Sequence, residues 1–496
     1  MSKIGFDNNE YIRLQTQSIR DRINTIGGKL YLEFGGKLFD DYHAARVLPG
    51  FMPDSKVKML LQMKDEAEIV IAISANAIEQ SKRRGDSGIT YDQEVMRLID
   101  AFRGIGLYVG SVVVTMFSGQ PAAVQFEKKL KALDIPVFRH YPIAEYPSNV
   151  TKIISEEGFG KNDYIETTRS LVVITAPGPG SGKMEICLSQ LYHEHMRGLK
   201  SGYAKFETFP IWNLPLKHPV NLAYEAATAD LNDVNMIDPY HLAAYNETTV
   251  NYNRDIEIFP VLRAMFTQIY GESPYQSPTD MGVNMVGYCI TDDRVVCDAS
   301  KQEILRRYYS ALCAVRQGLA EQSEITKLEL LMNTLEITTE LRPAVAAALA
   351  KSEETNGMPA VAIQTPDGRV VTGKTSNLLG ASSAALLNVL KVLGNISDLY
   401  DLISPTIIEP IQKLKVNNMG NHNPRLHTDE VLIALSICAL SDSRAKLALE
   451  QLPKLRGCEA HSTVILSQVD SGVFHKLGVN ITCEPKYQTK KLYHKK

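Results

Sequence analysis

Residues 171–183 read LVVITAPGPGSGK. The apolar, β-branched run over residues 171–175 has the composition of a buried strand, and the glycine-rich turn after it leads into a helical pattern over residues 184–197. Strand, turn and helix in this order are typical of proteins in which helices cover a parallel sheet. The stretch therefore predicts an α/β fold, with a polar loop at the carboxyl end of a buried strand.

The first half of the chain repeats this alternation. Strands are predicted over residues 30–34, 68–74, 107–116 and 136–140, and helices over residues 91–102 and 122–133. We therefore expect residues 1–300 to form a parallel-sheet domain of the Rossmann-like or P-loop-like type. Ligands of such sheets bind beyond the carboxyl ends of the strands. The candidate site segments are residues 35–46, 74–76, 115–119 and 176–183.

The rest of the chain divides by composition. Residues 202–291 are rich in Asn, Asp, Pro and Tyr, and we expect an irregular polar insertion into the first domain. Residues 301–350 have the pattern of two helices, which predicts a helical connector over residues 301–355 and a surface for homo-oligomer formation. Residues 356–496 predict a smaller α/β domain. It opens with a hairpin whose turn is Pro366-Asp367-Gly368. A helix over residues 381–393 and a late strand over residues 462–467 follow.

Composition narrows the class of protein. The chain has 496 residues and a formal net charge of −3, so we expect two or three domains and no nucleic-acid partner. Its seven cysteines are widely spaced without a CxxC motif, which argues against a disulfide framework and against zinc. No apolar run reaches the roughly 18 residues of a membrane span, and residues 1–11 are polar. These features predict a cytoplasmic protein with no membrane partner.

The glycine-rich loop is the first candidate site. Its glycines let backbone N–H groups turn toward an anion, and a lysine opens the helix that follows. The predicted phosphate-binding residues are Gly178, Gly180, Ser181, Gly182 and Lys183. The loop departs from the standard P-loop, since Pro177 takes the first glycine position and Met184 replaces the metal-binding Ser or Thr, for which Ser181 is the alternative. The competing interpretation is a structural turn with an exposed lysine.

A second cluster follows the first strand. Its residue types bind phosphate or transfer protons, and on a helix His43 would be an i,i+3 neighbour of both Asp40 and Arg46. The candidate catalytic residues are Lys37, Asp41, His43 and Arg46. The alternative is an ordinary surface helix with an acidic start.

A polar band in the insertion supplies the remaining candidates. Asp230 and Asp233 are candidate oxygen ligands for a metal, and Arg254 suits bidentate phosphate binding. Lys205 and Glu207 belong to the same band. For most single residues of the band the alternative is a loop hydrogen bond. By contrast, the triplet 193–195, His-Glu-His, lacks metal-site spacing and is expected at a solvated helix end.

Together these patterns favour an enzyme that binds a nucleotide or another phosphorylated small molecule, with Mg²⁺, and transfers a phosphoryl group. A second hypothesis is a non-catalytic sensor of a phosphorylated metabolite. A third is a structural assembly protein without an anion site.

Four long blocks of the sequence resemble a conserved bacterial family of uncharacterised proteins of about this length, which have a domain of unknown function. The blocks are residues 34–51 (FGGKLFDDYHAARVLPGF), 176–193 (APGPGSGKMEICLSQLYH), 203–238 and 277–285 (SPTDMGVNM). The resemblance covers nearly the whole chain. It implies a bacterial cytosolic protein and assigns no activity, substrate or catalytic residue.

The C-terminal domain is also similar to the cytidine-deaminase scaffold, which opens with a hairpin followed by a helix. In the deaminases that helix begins with His/Cys-x-Glu, and a later helix supplies Pro-Cys-x-x-Cys. Here residues 381–384 read ASSA, and the CxxC pair is missing from the sequence. The resemblance therefore implies a scaffold without the zinc-dependent chemistry.

Overall fold

A computed structural model describes residues 4–84 and 88–488. The chain forms two compact units. The N-terminal unit comprises Ile4–Glu225 and Leu231–Ala299, and the C-terminal unit comprises Ala226–Asp230 and the residues from Ser300 onward. None of the helices in the described part of the chain has both the length and the apolarity needed to cross a bilayer.

The helices and strands are numbered in chain order. The strands are β1 Lys29–Phe34, β2 Ala67–Ser74, β3 Tyr108–Thr115, β4 Val137–Arg139, β5 Leu171–Thr175, β6 Ser201–Phe206, β7 Asn235–Ile237, β8 Val250–Tyr252, β9 Gly282–Val283, β10 Ala360–Gln364, β11 Val370–Lys374, β12 Glu459–Ser462 and β13 Asn480–Cys483. The helices are α1 Asn8–Ile26, α2 Tyr42–Val47, α3 Ser55–Leu61, α4 Ala75–Glu79, α5 Tyr91–Gly104, α6 Pro121–Lys131, α7 Val150–Ile153, α8 Lys183–Met196, α9 Pro219–Ala227, α10 Pro239–Tyr245, α11 Asn253–Tyr270, α12 Pro278–Met281, α13 Asp293–Gln317, α14 Gln322–Thr334, α15 Pro343–Glu354, α16 Ala381–Leu393, α17 Pro405–Lys413, α18 Thr428–Cys438, α19 Ser443–Leu449 and α20 Gln468–Lys476.

A seven-stranded sheet organises the N-terminal unit, in the order β4-β3-β2-β5-β1-β6-β9. Every neighbouring pair in it is parallel. The predicted α/β fold with a parallel sheet is thus confirmed, and each of the five strands predicted in the first half of the chain is present. β2 and β5 are buried along their whole length, as expected for strands covered on both faces.

The stretch predicted to be irregular is largely regular. Residues 202–291 contain most of β6 and the 18-residue helix α11. The sequence pattern did not predict helix α11 because Pro260 lies in its interior, and proline usually ends a helix. β6 carries Gly202, whose absent side chain makes room for Ile26 of α1, and Lys205, a charged residue on a buried strand. The interpretation as an irregular insertion is therefore corrected.

Helices α8 and α11 share a hydrophobic core with the sheet. Ile186 and Leu191 of α8 and Phe259 and Phe266 of α11 are buried in one cluster with residues of β1, β2, β5 and β6. The expected solvated end of α8 is wrong for Glu194, which is fully buried. Its carboxylate accepts hydrogen bonds from the Tyr31 hydroxyl at 2.7 Å and pairs with Lys29 at 2.9 Å.

The C-terminal unit has a smaller mixed sheet in the order β11-β10-β12-β13. The predicted hairpin is confirmed as β10 and β11, which pair antiparallel, and the predicted helix is α16. Gly373 lets α16 approach closely, because a Cβ there would lie 2.1 Å from the backbone nitrogen of Ala385. The late strand lies over Glu459–Ser462 rather than residues 462–467, since polar His461 and Ser462 are paired inside the sheet.

Candidate functional site

The two candidate loops lie on the same edge of the seven-stranded sheet. β1 and β5 are parallel neighbours, with Leu30 beside Leu171 in the register. The loop with Lys37 follows β1, and the glycine-rich loop follows β5. Both therefore leave the sheet at its carboxyl edge, where sheets of this type bind ligands.

The glycine-rich loop contains two glycines with left-handed backbone conformation directly before α8. Gly180 has φ of 75° and Gly182 has φ of 81°, a region that favours glycine. The Ser181 hydroxyl donates to the carbonyl of Gly178 at 2.9 Å, and the Thr115 hydroxyl of β3 donates to the carbonyl of Ser181 at 3.0 Å. The hydroxyl of Ser181, the alternative metal ligand, therefore makes a hydrogen bond within its own loop.

The backbone N–H groups of residues 178 and 180–185, here named the cradle, belong to the predicted phosphate-binding loop and the start of α8. Among the described residues, none of the N–H groups of residues 178 and 180–185 donates a hydrogen bond to a protein acceptor. They run without a break into the first turn of α8, whose N-cap Gly182 offers no side chain. The first N–H groups of a helix have no intrahelical acceptor, and a row of them that continues from a glycine-rich turn suits phosphate.

Gly178 lies so close to Tyr91 of α5 that a side chain at position 178 would collide with it. A Cβ at this position would lie 2.2 Å from the Tyr91 hydroxyl oxygen. We expect Gly178→Ala to destabilise the N-terminal unit by about 1–3 kcal/mol through overpacking. Urea unfolding followed by fluorescence of Trp212, the one tryptophan of the chain, measures the loss.

The control for this prediction is a double-mutant cycle with Tyr91→Ala, which reopens the space. Gly178→Ala should cost at least about 0.5 kcal/mol less in that background. Equal costs in both backgrounds would contradict the proposed collision.

A histidine–carboxylate pair lies beside the cradle. Glu185 in the first turn of α8 accepts from Nδ1 of His140, just beyond β4, at 3.1 Å, and from the Asn162 amide at 2.6 Å. His140 is fully buried, and its Nε2 has no hydrogen-bond partner within the described part of the chain. Sequence reasoning missed this pair, because His140 and Glu185 are distant in sequence and form no motif.

A buried charge cluster marks the carboxyl end of β6. Lys205 lies 2.7 Å from Oε1 of Glu207 and also pairs with Asp255 of α11. Burial raises the pKa of Glu207 to about 7, with Lys205 opposing and Asp255 adding to the rise. Burial alone would lower the pKa of Lys205, but Asp255 and Glu207 outweigh it and raise that pKa. A carboxyl group that titrates near neutrality is suited to proton transfer.

Glu33 of β1 influences the pKa of a group on α8 and of a group on β6. Burial raises the pKa of Cys187 on α8, Glu33 raises it further, and Lys183 opposes them. Glu33 also raises the pKa of Lys205. Glu33 on β1 is therefore within electrostatic reach of Cys187 on α8 and of Lys205 on β6.

The predicted catalytic residues lie in the loop and helix after β1. Asp41 caps α2 by accepting from the N–H of Ala44 at 3.2 Å and pairs with the buried Lys56 at 2.7 Å. Although burial would raise it, Lys56 and the cap hold the pKa of Asp41 below its usual value. The ring of His43 packs edge-on against Phe209. Lys37 is exposed and Arg46 is half-buried.

The predicted metal ligands are not both in the N-terminal unit. Asp233 is buried and binds Arg254 through both carboxylate oxygens, at 2.6 and 2.8 Å. Asp230 is exposed and belongs to the C-terminal unit. Arg254 is thus held by a carboxylate in this structure, and magnesium binding by the two aspartates stays a prediction.

The high pKa of Glu207 predicts a pH dependence of stability. Between the unfolded value of 4.5 and the folded value of about 7, the native state binds more protons than the unfolded state. Stability of the N-terminal unit should therefore fall as pH rises through this window, by about 3 kcal/mol in total. Urea unfolding at a series of pH values should show the fall in the wild type and its loss in Glu207→Gln. Exposed Glu272→Gln should keep the wild-type slope, and an unchanged slope in Glu207→Gln would refute the assignment.

Comparison with known proteins shows that the chain is similar to one bacterial family over nearly its whole length. The family model described as Domain of unknown function DUF1846, N-terminal, matches residues 4–336, and the C-terminal model of the same family matches residues 340–493. The UPF0371 protein of Streptococcus pyogenes serotype M28 is 57% identical over 495 residues, which is 100% of both chains. The UPF0371 protein of Streptococcus thermophilus has the same identity and coverage. The resemblance to a bacterial family with a domain of unknown function is confirmed.

Proposed function

The chain belongs to the DUF1846 family over nearly its whole length, and from this premise we propose that it is an enzyme that binds a phosphorylated small molecule at the glycine-rich loop. The observation that carries the proposal is the row of backbone N–H groups over residues 178 and 180–185 without protein acceptors. Lys183, at the first position of α8, adds a full positive charge to this helix end.

Catalysis, rather than binding alone, is supported by the charge cluster at the end of β6. β1 lies between β5 and β6, so the carboxyl ends of β5 and β6, which the loop and Glu207 follow, are two strand spacings or about 10 Å apart. We propose phosphoryl transfer, in which the loop holds the phosphate while Lys37, Arg46 and Arg254 offset developing charge. The bond between phosphorus and the donor oxygen breaks, the acceptor oxygen forms the new bond, and its proton passes to Glu207 or His43.

Asp41 is the weaker choice of proton acceptor, because its ion pair with Lys56 favours the charged carboxylate and makes it a poor base. Mg²⁺ and a nucleotide as cofactors stay predictions, as do the homo-oligomer, the absence of a nucleic-acid partner and the cytoplasmic location.

The test is a thermal-shift screen of wild type and Lys183→Ala against phosphate, sulfate, sugar phosphates and nucleotides, each with and without Mg²⁺. A ligand that binds only the native state raises its melting temperature by mass action. The matched control is Lys200→Ala, an exposed lysine before β6 at the opposite edge of the sheet. We expect phosphate compounds to stabilise wild type and Lys200→Ala but not Lys183→Ala.

If no phosphate compound shifts wild type, or if Lys183→Ala shifts equally, the loop is a structural turn and the proposal fails. A non-catalytic sensor is the second candidate, and it is favoured by one observation. The Ser181 hydroxyl is turned into its own loop, so the loop presents no side-chain ligand for Mg²⁺ at this position. Release of inorganic phosphate or transfer of the phosphoryl group from a bound compound would separate the enzyme from the sensor.

A further inference from the structure

An open pocket of about 380 Å³ lies at the carboxyl ends of β3 and β4. It is lined by Phe117, Ser118, Tyr141, Pro142 and Lys161. The rings of Phe117 and Tyr141 meet at 76° with their centroids 6.2 Å apart, so the pocket presents aromatic walls at an angle to each other. Its volume is within the range of small-molecule sites.

Cations accompany both aromatic rings. Nζ of Lys161 lies 5.3 Å from the centroid of the Tyr141 ring, and the Arg139 guanidinium lies 4.4 Å from that of Phe117. Arg139 is fixed by Glu127 at 2.6 Å, whereas Lys161 is exposed. The Tyr141 ring suits a planar heterocycle that takes the place of the exposed Lys161 side chain over the ring and offers acceptors to its ammonium group.

Hydrogen bonds link the segments that line the pocket to the glycine-rich loop and to the first turn of α8. Thr115, two residues before Phe117, donates to the carbonyl of Ser181 in the glycine-rich loop at 3.0 Å. On the other side, Asn162 accepts from the N–H of Tyr141 at 2.9 Å and donates to Glu185 of α8. The segment with Phe117 is thus hydrogen-bonded to the glycine-rich loop through Thr115, and Tyr141 is linked to the first turn of α8 through Asn162.

We propose that the phosphorylated ligand is a nucleotide whose base stacks on Tyr141 in this pocket while its phosphate occupies the cradle at residues 178–185. The inference rests on the proposed phosphate site and adds the class of ligand. Stacking on one aromatic side chain accounts for an affinity gain of about tenfold or more over the same ligand without a base.

Calorimetric titration tests the proposal with AMP, ADP and ATP against ribose 5-phosphate and pyrophosphate. The variants are Tyr141→Ala, Tyr141→Phe and, for the exposed cation, Lys161→Met. The matched control is Tyr108→Ala, which removes a half-exposed tyrosine at the amino end of the same strand that leads to Phe117.

Wild type and Tyr108→Ala should bind at least one nucleotide about tenfold more tightly than ribose 5-phosphate. Tyr141→Ala should lose this preference and keep its affinity for pyrophosphate, Tyr141→Phe should retain it, and Lys161→Met should reduce it several-fold. The proposal is overturned if nucleotides bind no more tightly than ribose 5-phosphate while phosphate compounds still bind through Lys183, or if Tyr141→Ala and Lys161→Met leave the preference intact. If no phosphate compound binds wild type, the phosphate site itself fails and the nucleotide inference fails with it.

Discussion

Lys205→Met is expected to destabilise the N-terminal unit by about 3–5 kcal/mol. Lys205 is enclosed by two carboxylates, Glu207 at 2.7 Å and Asp255 in direct contact, and the three side chains have little exposure to water. Removing the ammonium group leaves two like charges in an environment that cannot solvate them. At neutral pH the cluster must then take up protons or open to water, and either change costs stability.

The measurement is urea unfolding followed by Trp212 fluorescence, which reports on this unit because Trp212 is the one tryptophan of the chain and lies within it. Lys58→Met is the matched control, since Lys58 forms an exposed i,i+4 pair with Asp54 and should change stability by less than about 1 kcal/mol. The variant with Glu207→Gln and Asp255→Asn added to Lys205→Met should recover much of the loss, because no unpaired charge remains. If Lys205→Met alone lowers the free energy of unfolding by less than about 1 kcal/mol, water solvates the cluster and the three charges do not depend on one another.

The carboxyl edge of the seven-stranded sheet was predictable because short stretches of sequence identify its strands and its glycine-rich loop. Runs such as Leu171–Thr175 are buried on both faces, so their composition alone identifies strands. The loop at residues 178–183 was recognisable because left-handed φ values and close approach to Tyr91 need glycine at defined positions. Local backbone requirements of this kind leave a direct trace in the sequence.

The interior of the candidate site was less predictable because it is assembled from distant segments. The sequence placed Lys205 and Glu207 in a polar band. Their partner Asp255 is on helix α11, which the sequence did not predict because of Pro260. Lys56 of α3 pairs with Asp41, the cap of α2, and the His140–Glu185 pair joins the residue after β4 to α8. Spacing along the chain carries no information about such contacts, so they require the fold.

Arg342 is expected to have a comparable effect in the C-terminal unit, where it ties β12 to β13. It is 1% exposed, pairs with Glu459 through Nη1, and donates from Nη2 to the carbonyls of Ala460 at 2.9 Å and Asn480 at 3.0 Å. Burial lowers the pKa of Arg342, with Glu459 opposing the shift. Arg342→Leu would leave the two carbonyls without this donor and Glu459 with Arg306 as its remaining cationic partner. We expect a loss of about 3–5 kcal/mol.

Because Trp212 lies in the other unit, amide hydrogen exchange of β12 and β13 is the suitable measurement for this variant. Protection of the Ala460 and Thr482 amides should fall in Arg342→Leu, whereas Arg369→Leu, which removes an exposed pair with Asp367, should leave it unchanged. Arg342→Lys separates charge from geometry, since lysine keeps the cation but does not present the planar donor fork that reaches two carbonyls and a carboxylate together. Protection in Arg342→Lys should therefore lie between that of wild type and Arg342→Leu. Full protection in both variants would show that the strands hold together without the arginine, and that its burial is incidental to the fold.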